Sequence, residues 1–433
     1  MGREPPPRRG GRGGASGRRG GATQRRRHAL RRRRRRGAPG PRLAGELPRA
    51  RPAHGAAALP DQAARRHRRP HHPGEPGGLM IPLARPWTTE AEEAAVLRVL
   101  RSGWLAAGPE VAALEAGFAE RTGRAHGIAV SSGTAALELV LQALDVGPGD
   151  EVLCPALTWP SPAHAIARLG ARAVLVDVDP EDWNGAPEAF AAARTPATRA
   201  AIAIDQFGNP VRAAALRAAL GDLPLVEDAA CALGSSFADG APCGSLGVAA
   251  CFSLHPRKVI TCGEGGVVVT DDGDLAERLR VLRNHGQRAP GAFTSPGANL
   301  RLSDVNAAIA NAQLARLDAI LDARRTHAEA LRARLGAHYR LQLGPAGSRP
   351  NHQTLGALLP PGRDREMFIA AAAERGVQVG RLSYAVDRLG QVGDQGPLPN
   401  ARALDERGVA FPLFPTMTID EREKVADVLE AIA

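Results

Sequence analysis

The sequence predicts an α/β protein, with a mainly parallel central sheet in a large domain and a smaller C-terminal α/β domain. Two observations carry that expectation. Between Met80 and Thr270, short apolar runs alternate with stretches of helical periodicity, and the runs are continuous, as in strands covered on both faces. After Thr270 the pattern turns helical, "DLAERLRVLRNHG" and then "DVNAAIANAQLARLDAILDARRTHAEALRARL", before mixed character returns toward the C-terminus. A long helix of this type commonly joins a large domain to a small one. The expected division is therefore 80–330 for the large domain with its N-terminal arm, and 331–433 for the small domain.

The elements follow in order. Glu90–Leu100 and Pro109–Ala119 space their apolar groups helically, and "HGIAV" (126–130) reads as a short strand. "TAALELVLQAL" (134–144) is a helix, "GPGD" (147–150) a turn and "EVLC" (151–154) a strand. Further strands are expected at "RAVLVD" (172–177), "RAAIAI" (199–204), "LPLVED" (223–228), "VAACFS" (248–253) and "GVVVT" (266–270). "IDEREKVADVLEAI" (419–432) closes the chain as a helix.

The formal charge of +11 is unevenly spread. Residues 1–79 hold 22 arginines against four acidic residues, while the rest of the chain carries 34 basic and 41 acidic residues and is mildly acidic. The leader, with "RRRRRRG" and "RRHRRPHHPGEPGG", has too little apolar periodicity to offset its ordering entropy. It is expected to be disordered and a spurious N-terminal extension, since GC-rich DNA translated upstream of a true start at Met80 yields this composition. That reading is favoured over an RNA-binding tail, and over a transit peptide, which should be Ser-rich and amphipathic. No nucleic-acid partner is expected. No stretch after Met80 approaches the roughly 18 consecutive apolar residues of a membrane span. Five cysteines without a CxxC pair argue against a disulfide framework and a structural metal, and point to the cytoplasm.

Four motifs carry chemistry. In "SSGTAAL" (131–137) a strand meets a helix through Gly133 and Thr134, a geometry that suits a phosphate but that also serves plain helix capping. Asp228 ends the strand of "LPLVEDAACALG", at the edge where open α/β sheets keep ligands; it could equally be a helix N-cap. Trp159 in "PALTWPSP" is either a core tryptophan or a plate for a flat ring. Lys258, in "CFSLHPRKVITCGEGGVVVT" beside Ser253, His255 and Glu264, is one of only two lysines against 54 arginines. Arginine replaces a surface lysine's charge but cannot form a Schiff base, so a retained lysine points to a nucleophile. Lys424 lies between acidic residues on the last helix, where solvated pairing accounts for it. A phosphate cradle, a carboxylate, an aromatic plate and a lysine together match the needs of pyridoxal 5'-phosphate.

The motifs also resemble a known family. "VLRSGWLAAGPEVAALE", "SSGTAALELVLQAL", "GDEVLCPALTWPSPAHAI", "VEDAACALGS", "FSLHPRKVITCGEGGVVVTDD", "GANLRLSDVNAAIANAQL" and "FPLFPTMTIDEREKV", in this order, are similar to the DegT/DnrJ/EryC1/StrS pyridoxal-phosphate sugar aminotransferases. The resemblance spans nearly all of 80–433 and implies pyridoxal-phosphate fold type I. It implies that Lys258 bonds the cofactor and shuttles a proton, that Asp228 pairs with the pyridine nitrogen, and that Trp159 stacks on the ring. Gly133, Thr134 and Ser253 would hold the phosphate, and Asn299 would reach the phosphate of a second subunit, making the active unit a homodimer. No role for His255 follows. The implied reaction moves an amino group from glutamate or glutamine to a keto sugar, a nucleotide-linked hexose or a cyclitol. Cys231 departs from the pattern, standing where the family has Gln or His near the cofactor's phenolic oxygen. The alternatives are a regulatory or otherwise non-transaminating relative. Dehydratase relatives carry histidine in place of the lysine, so Lys258 speaks against that branch.

Overall fold

The computed structural model describes Met80–Ala433 apart from Gln391 and Asp394; the leader discussed above lies outside the described residues. Helices α1 (Glu90–Ser102) and α2 (Pro109–Thr122) precede strand β1 (His126–Val130). Thr89 starts α1 through a capping box with Glu92, which satisfies two otherwise orphaned N–H groups. There follow α3 (Gly133–Ala143), β2 (Glu151–Pro155), β3 (Leu157–Thr158), α4 (Ser161–Arg168), β4 (Arg172–Val176), α5 (Pro187–Ala193) and β5 (Thr198–Ile204). Next come α6 (Ala213–Leu220), β6 (Leu225–Asp228), β7 (Ala249–Ser253), β8 (Gly266–Thr270) and α7 (Gly273–Arg283). A short hairpin, β9 (Gln287–Ala289) and β10 (Ala292–Phe293), leads to α8 (Asp304–Leu314) and α9 (Leu317–Leu335). The last part holds β11 (Arg340–Leu341), β12 (Leu355–Leu358), α10 (Arg365–Glu374), β13 (Gly380–Arg381), β14 (Tyr384–Ala385), α11 (Pro399–Arg407), β15 (Gly408–Phe411) and α12 (Ile419–Ala431).

Seven strands form the central sheet in the order β1-β8-β7-β6-β5-β2-β4. The four pairings from β7 to β4 are parallel, and β8 runs antiparallel to both β7 and β1. Strands such as β8 and β6 are buried along their whole length because helices cover both faces, which is why they read as continuous apolar runs. The carboxyl ends of β1, β2, β5, β6 and β7 share one edge, and β8 begins there at Gly266. A second, antiparallel sheet, β11-β12-β15-β13, packs Leu355, Phe411 and Val409 against Phe368, Leu331 and Val425.

The single long helix expected after Asp304 is two helices, broken at Ala315–Arg316. Arg316 turns back there to bond the Trp87 carbonyl, Thr89 Oγ1 and the Glu92 carboxylate. Residue 330 falls inside α9, which runs on without interruption. Within 331–433, the segment 383–400 pairs β14 with β3 and buries Val386 and Leu398 in the same core as β2 and α3.

Candidate active site

The sheet edge collects most of the residues singled out above. Ser132 caps α3, its Oγ accepting from the Ala135 N–H, so the helix starts with free N–H groups directed at the edge. Gly133 is required by a close approach: a Cβ on it would lie 2.8 Å from the Ser253 Cβ. Ser253 ends β7 opposite Gly266, whose own Cβ would meet the Ser132 carbonyl oxygen at 2.5 Å. Two glycines thus let a helix start, a strand end and the return strand meet, leaving the Ser253 hydroxyl beside the α3 terminus. Thr134 Oγ1 lies 2.8 Å from Ser161 Oγ at the start of α4, bringing a second hydroxyl pair to the same edge. Ser161 was missed by sequence reasoning, since its importance is a contact across the fold.

Asp228 is the last residue of β6, between β5 and β7, and is 6% exposed. Its Oδ1 accepts from the Ala230 N–H at 3.1 Å, and no helix begins there, which removes the N-cap alternative. Burial pushes its carboxyl above the ordinary range, opposed by the Ala230 N–H and the charge of Lys258. Among the described residues, Oδ2 accepts no hydrogen bond.

Lys258 sits in the turn after β7, held by its N–H to the His255 carbonyl at 2.8 Å. It is partly buried, and its Nζ lies 3.1 Å from Cys231 Sγ. Ala230, Cys231, Ser253 and Lys258 line one recess. Lys424, by contrast, is exposed on α12. His255 is largely exposed; its Nδ1 accepts from the Arg257 N–H, and partial loss of solvent, with the charges of Lys258 and Arg257, lowers its pKa. The Glu264 side chain faces solvent, and its carbonyl accepts from Asn306 Nδ2.

Trp159 is 62% exposed, which rules out a core role, and it meets the Tyr384 ring edge-on at 5.7 Å. The Tyr384 contact had no sequence signal, because it depends on β14 pairing with β3 more than two hundred residues away. Asn299 is exposed and stands apart from the Lys258 recess. It is bridged to Asn284, while the carbonyl of its neighbour Leu300 accepts from the Ser131 N–H.

Set beside proteins of known structure, this architecture is that of the fold type I, pyridoxal-phosphate-dependent transaminases. More narrowly, the chain belongs to the DegT/DnrJ/EryC1/StrS aminotransferase family, which it matches over residues 86–430. It is similar to the aminotransferase TlmJ from Streptoalloteichus hindustanus, at 33% identity over 82% of this chain and 98% of that one, with a TM-score of 0.77. It is also similar to 3-amino-5-hydroxybenzoic acid synthase, at 32% identity over 80% and 97%, TM-score 0.75. DesV from S. venezuelae matches at 31% identity over 82% and 99%, TM-score 0.76.

The residues present fit the cofactor. The space a Gly133 side chain would fill lies against the Ser253 hydroxyl, as a phosphate cradle needs. A buried carboxylate with one oxygen unbonded suits a protonated ring nitrogen, and the charge of the Lys258 amine acts on it. No helix among the described residues is long and apolar enough to cross a membrane.

Proposed function

We propose that this transaminase carries an amino group from glutamate or glutamine to the keto carbon of a sugar, a nucleotide-linked hexose. The observation that carries the reading is the placement of Lys258: its Nζ lies 3.1 Å from Cys231 Sγ, three residues past the strand that ends in Asp228, and its charge acts on that buried carboxyl. When bound, pyridoxal 5'-phosphate supplies an aldehyde that takes up amines and a ring that withdraws the electron pair left by a departing Cα proton. Lys258 Nζ would bond that aldehyde and, once free, take and return the proton. Asp228 would hold the proton on the ring nitrogen; its burial makes this pairing strong, because a carboxylate out of water has few competing partners. The N–H groups of Gly133 and Thr134 and the Ser253 hydroxyl would bind the phosphate at the positive end of α3. Trp159 would cover one ring face, braced by Tyr384.

We further propose a homodimer in which Asn299 serves the second subunit's phosphate. Its exposure supports this, as do the exposed Leu97, Leu100, Trp104 and Leu105 on and after α1. The acceptor is tested by mass spectrometry of the second half-reaction: the amine-loaded enzyme is offered a panel of keto-sugar nucleotides. Amination of at least one is expected. Failure with all of them, alongside normal exchange with amino acids, would overturn the sugar assignment.

A further inference from the structure

Away from the catalytic edge, a cavity of about 210 Å3 lies between α9, the loop after β5 and the segment between β11 and β12. None of the residues assigned above lines it. Its polar wall is made by Asn209, Arg332, Gln342, Ser348, His352 and Thr354. It is roomy enough for several waters or a small metabolite.

Two groups on that wall lack partners. The Arg332 guanidinium makes no hydrogen bond or ion pair among the described residues, although the residue is partly buried and burial pulls its pKa down. Arg334, two positions further along α9, grips Glu423, Asp427 and Glu430 of α12, and none of these acids pairs with Arg332. A guanidinium taken partly out of water without an anion is costly, and its fork of donors matches a carboxylate or phosphate. The second group is Asn209, 4% exposed. Its Nδ2 donates to the carbonyls of Asp182 and Leu343, while its Oδ1 has no donor. That oxygen is closed off from solvent by Gly344, on which a Cβ would lie 2.8 Å from it.

The surroundings reinforce the sign. Arg324 and Arg325 join Arg332 in acting on His352, whose ring burial pushes down to about 4. The imidazole is therefore neutral near pH 7 and offers one donor and one acceptor. Asp182, which supports the wall through its carbonyl, has its carboxylate engaged by Arg212 at 3.0 Å.

We propose that this cavity binds a small metabolite carrying a carboxylate or phosphate group together with a hydrogen-bond donor. The anion pairs with Arg332 and the donor is accepted by the His352 imidazole on the same wall. The residues on either side of His352 reach the catalytic edge: Asn351 donates to the Cys231 carbonyl at 2.8 Å, and Gln353 donates to the Arg257 carbonyl at 2.6 Å. The proposal does not depend on which amine acceptor the enzyme uses.

The test is isothermal titration of the cofactor-loaded full chain, at constant ionic strength, with inorganic phosphate, glycerol 3-phosphate and malate. Saturable binding of one equivalent per chain is expected for at least one probe, roughly millimolar or tighter. The preference between glycerol 3-phosphate and malate identifies the anion. Arg332→Gln should weaken binding by about tenfold or more with cofactor loading unchanged. Gly344→Ala, which narrows the cavity without removing a charge, should weaken it as well and covers a failure of the first variant to fold. Absence of saturable binding by all three probes into the tens of millimolar overturns the proposal. So does binding that both variants leave unchanged.

Discussion

Gly133→Ala tests the cradle most directly, because the structure fixes the size of the perturbation. The new methyl would stand 2.8 Å from Ser253 Cβ and 3.3 Å from its Oγ. Carbon atoms pack at about 3.5–4.0 Å, so the helix start and the strand end must part by roughly 0.7 Å or more. Ser253 cannot yield alone, since it is paired with Gly266, and Gly266 is itself pressed against Ser132. A hydrogen bond of ordinary length stretched by that amount passes out of bonding range. Losing one charge-assisted contact to the phosphate costs about 2 kcal/mol, or roughly 30-fold in cofactor affinity. Global stability should change little, because overpacking is partly offset by alanine's better helix propensity. Fluorescence titration of the cofactor-free variant with pyridoxal 5'-phosphate gives the affinity, and circular dichroism checks the fold. An affinity within about twofold of the parent, in a folded variant, would refute the cradle.

Lys258→Ala should fold normally, lose turnover and show no borohydride-fixed cofactor adduct by mass spectrometry; parental activity would contradict the assignment. Asp228→Asn should lower kcat/KM by at least about a hundredfold while the cofactor still binds, measured by steady-state kinetics. A third prediction concerns the buried pair Asp205 and Glu227, which lies with Cys243 behind the sheet edge. Burial raises both carboxyls, so the pair keeps a proton near neutrality. Raised folded values mean that this stability is present at low pH and is lost as pH climbs from the ordinary carboxylate range through the raised values. Asp205→Asn, which needs no proton to hydrogen-bond Glu227, should flatten that loss. Thermal melts between about pH 5 and pH 9 should converge at the acid end and diverge at the alkaline end, and parallel curves would contradict the shared proton.

How much of this was legible in the sequence depends on where each residue's partners lie. The strands of the central sheet were readable because both faces are covered, so apolar character is continuous and the ends of β1 and β8 match their runs. The break between α8 and α9 was not, because helical periodicity continues through it and the cause is a set of partners near Thr89. The same division holds at the site. Lys258 stood out by composition, Gly133 and Asp228 by their place at strand ends. Ser161, Tyr384 and Asn351 draw their importance from contacts that no local pattern encodes. The unbonded Arg332 is the extreme case: in a chain with 54 arginines, only the fold distinguishes one without an anion.

The site's dimensions follow from strand register rather than from loops. Asp228 is paired with Cys251 across β6 and β7, so Ser253 stands one strand over and two residues further along. With strands about 4.8 Å apart and about 3.3 Å of rise per residue, the two α-carbons are separated by roughly 8 Å. Gly133 is then placed by contact with Ser253, and β8 locks both through Gly266. The carboxylate proposed for the ring nitrogen and the cradle proposed for the phosphate are thus held apart by the backbone hydrogen bonds of the central sheet. A one-residue slip of β7 against β6 would change that spacing and turn Ser253 to the opposite face. Such a slip would also bring Phe252 and the cysteine of β7 out of their cores. The packing that stabilises the sheet therefore enforces the separation the chemistry requires.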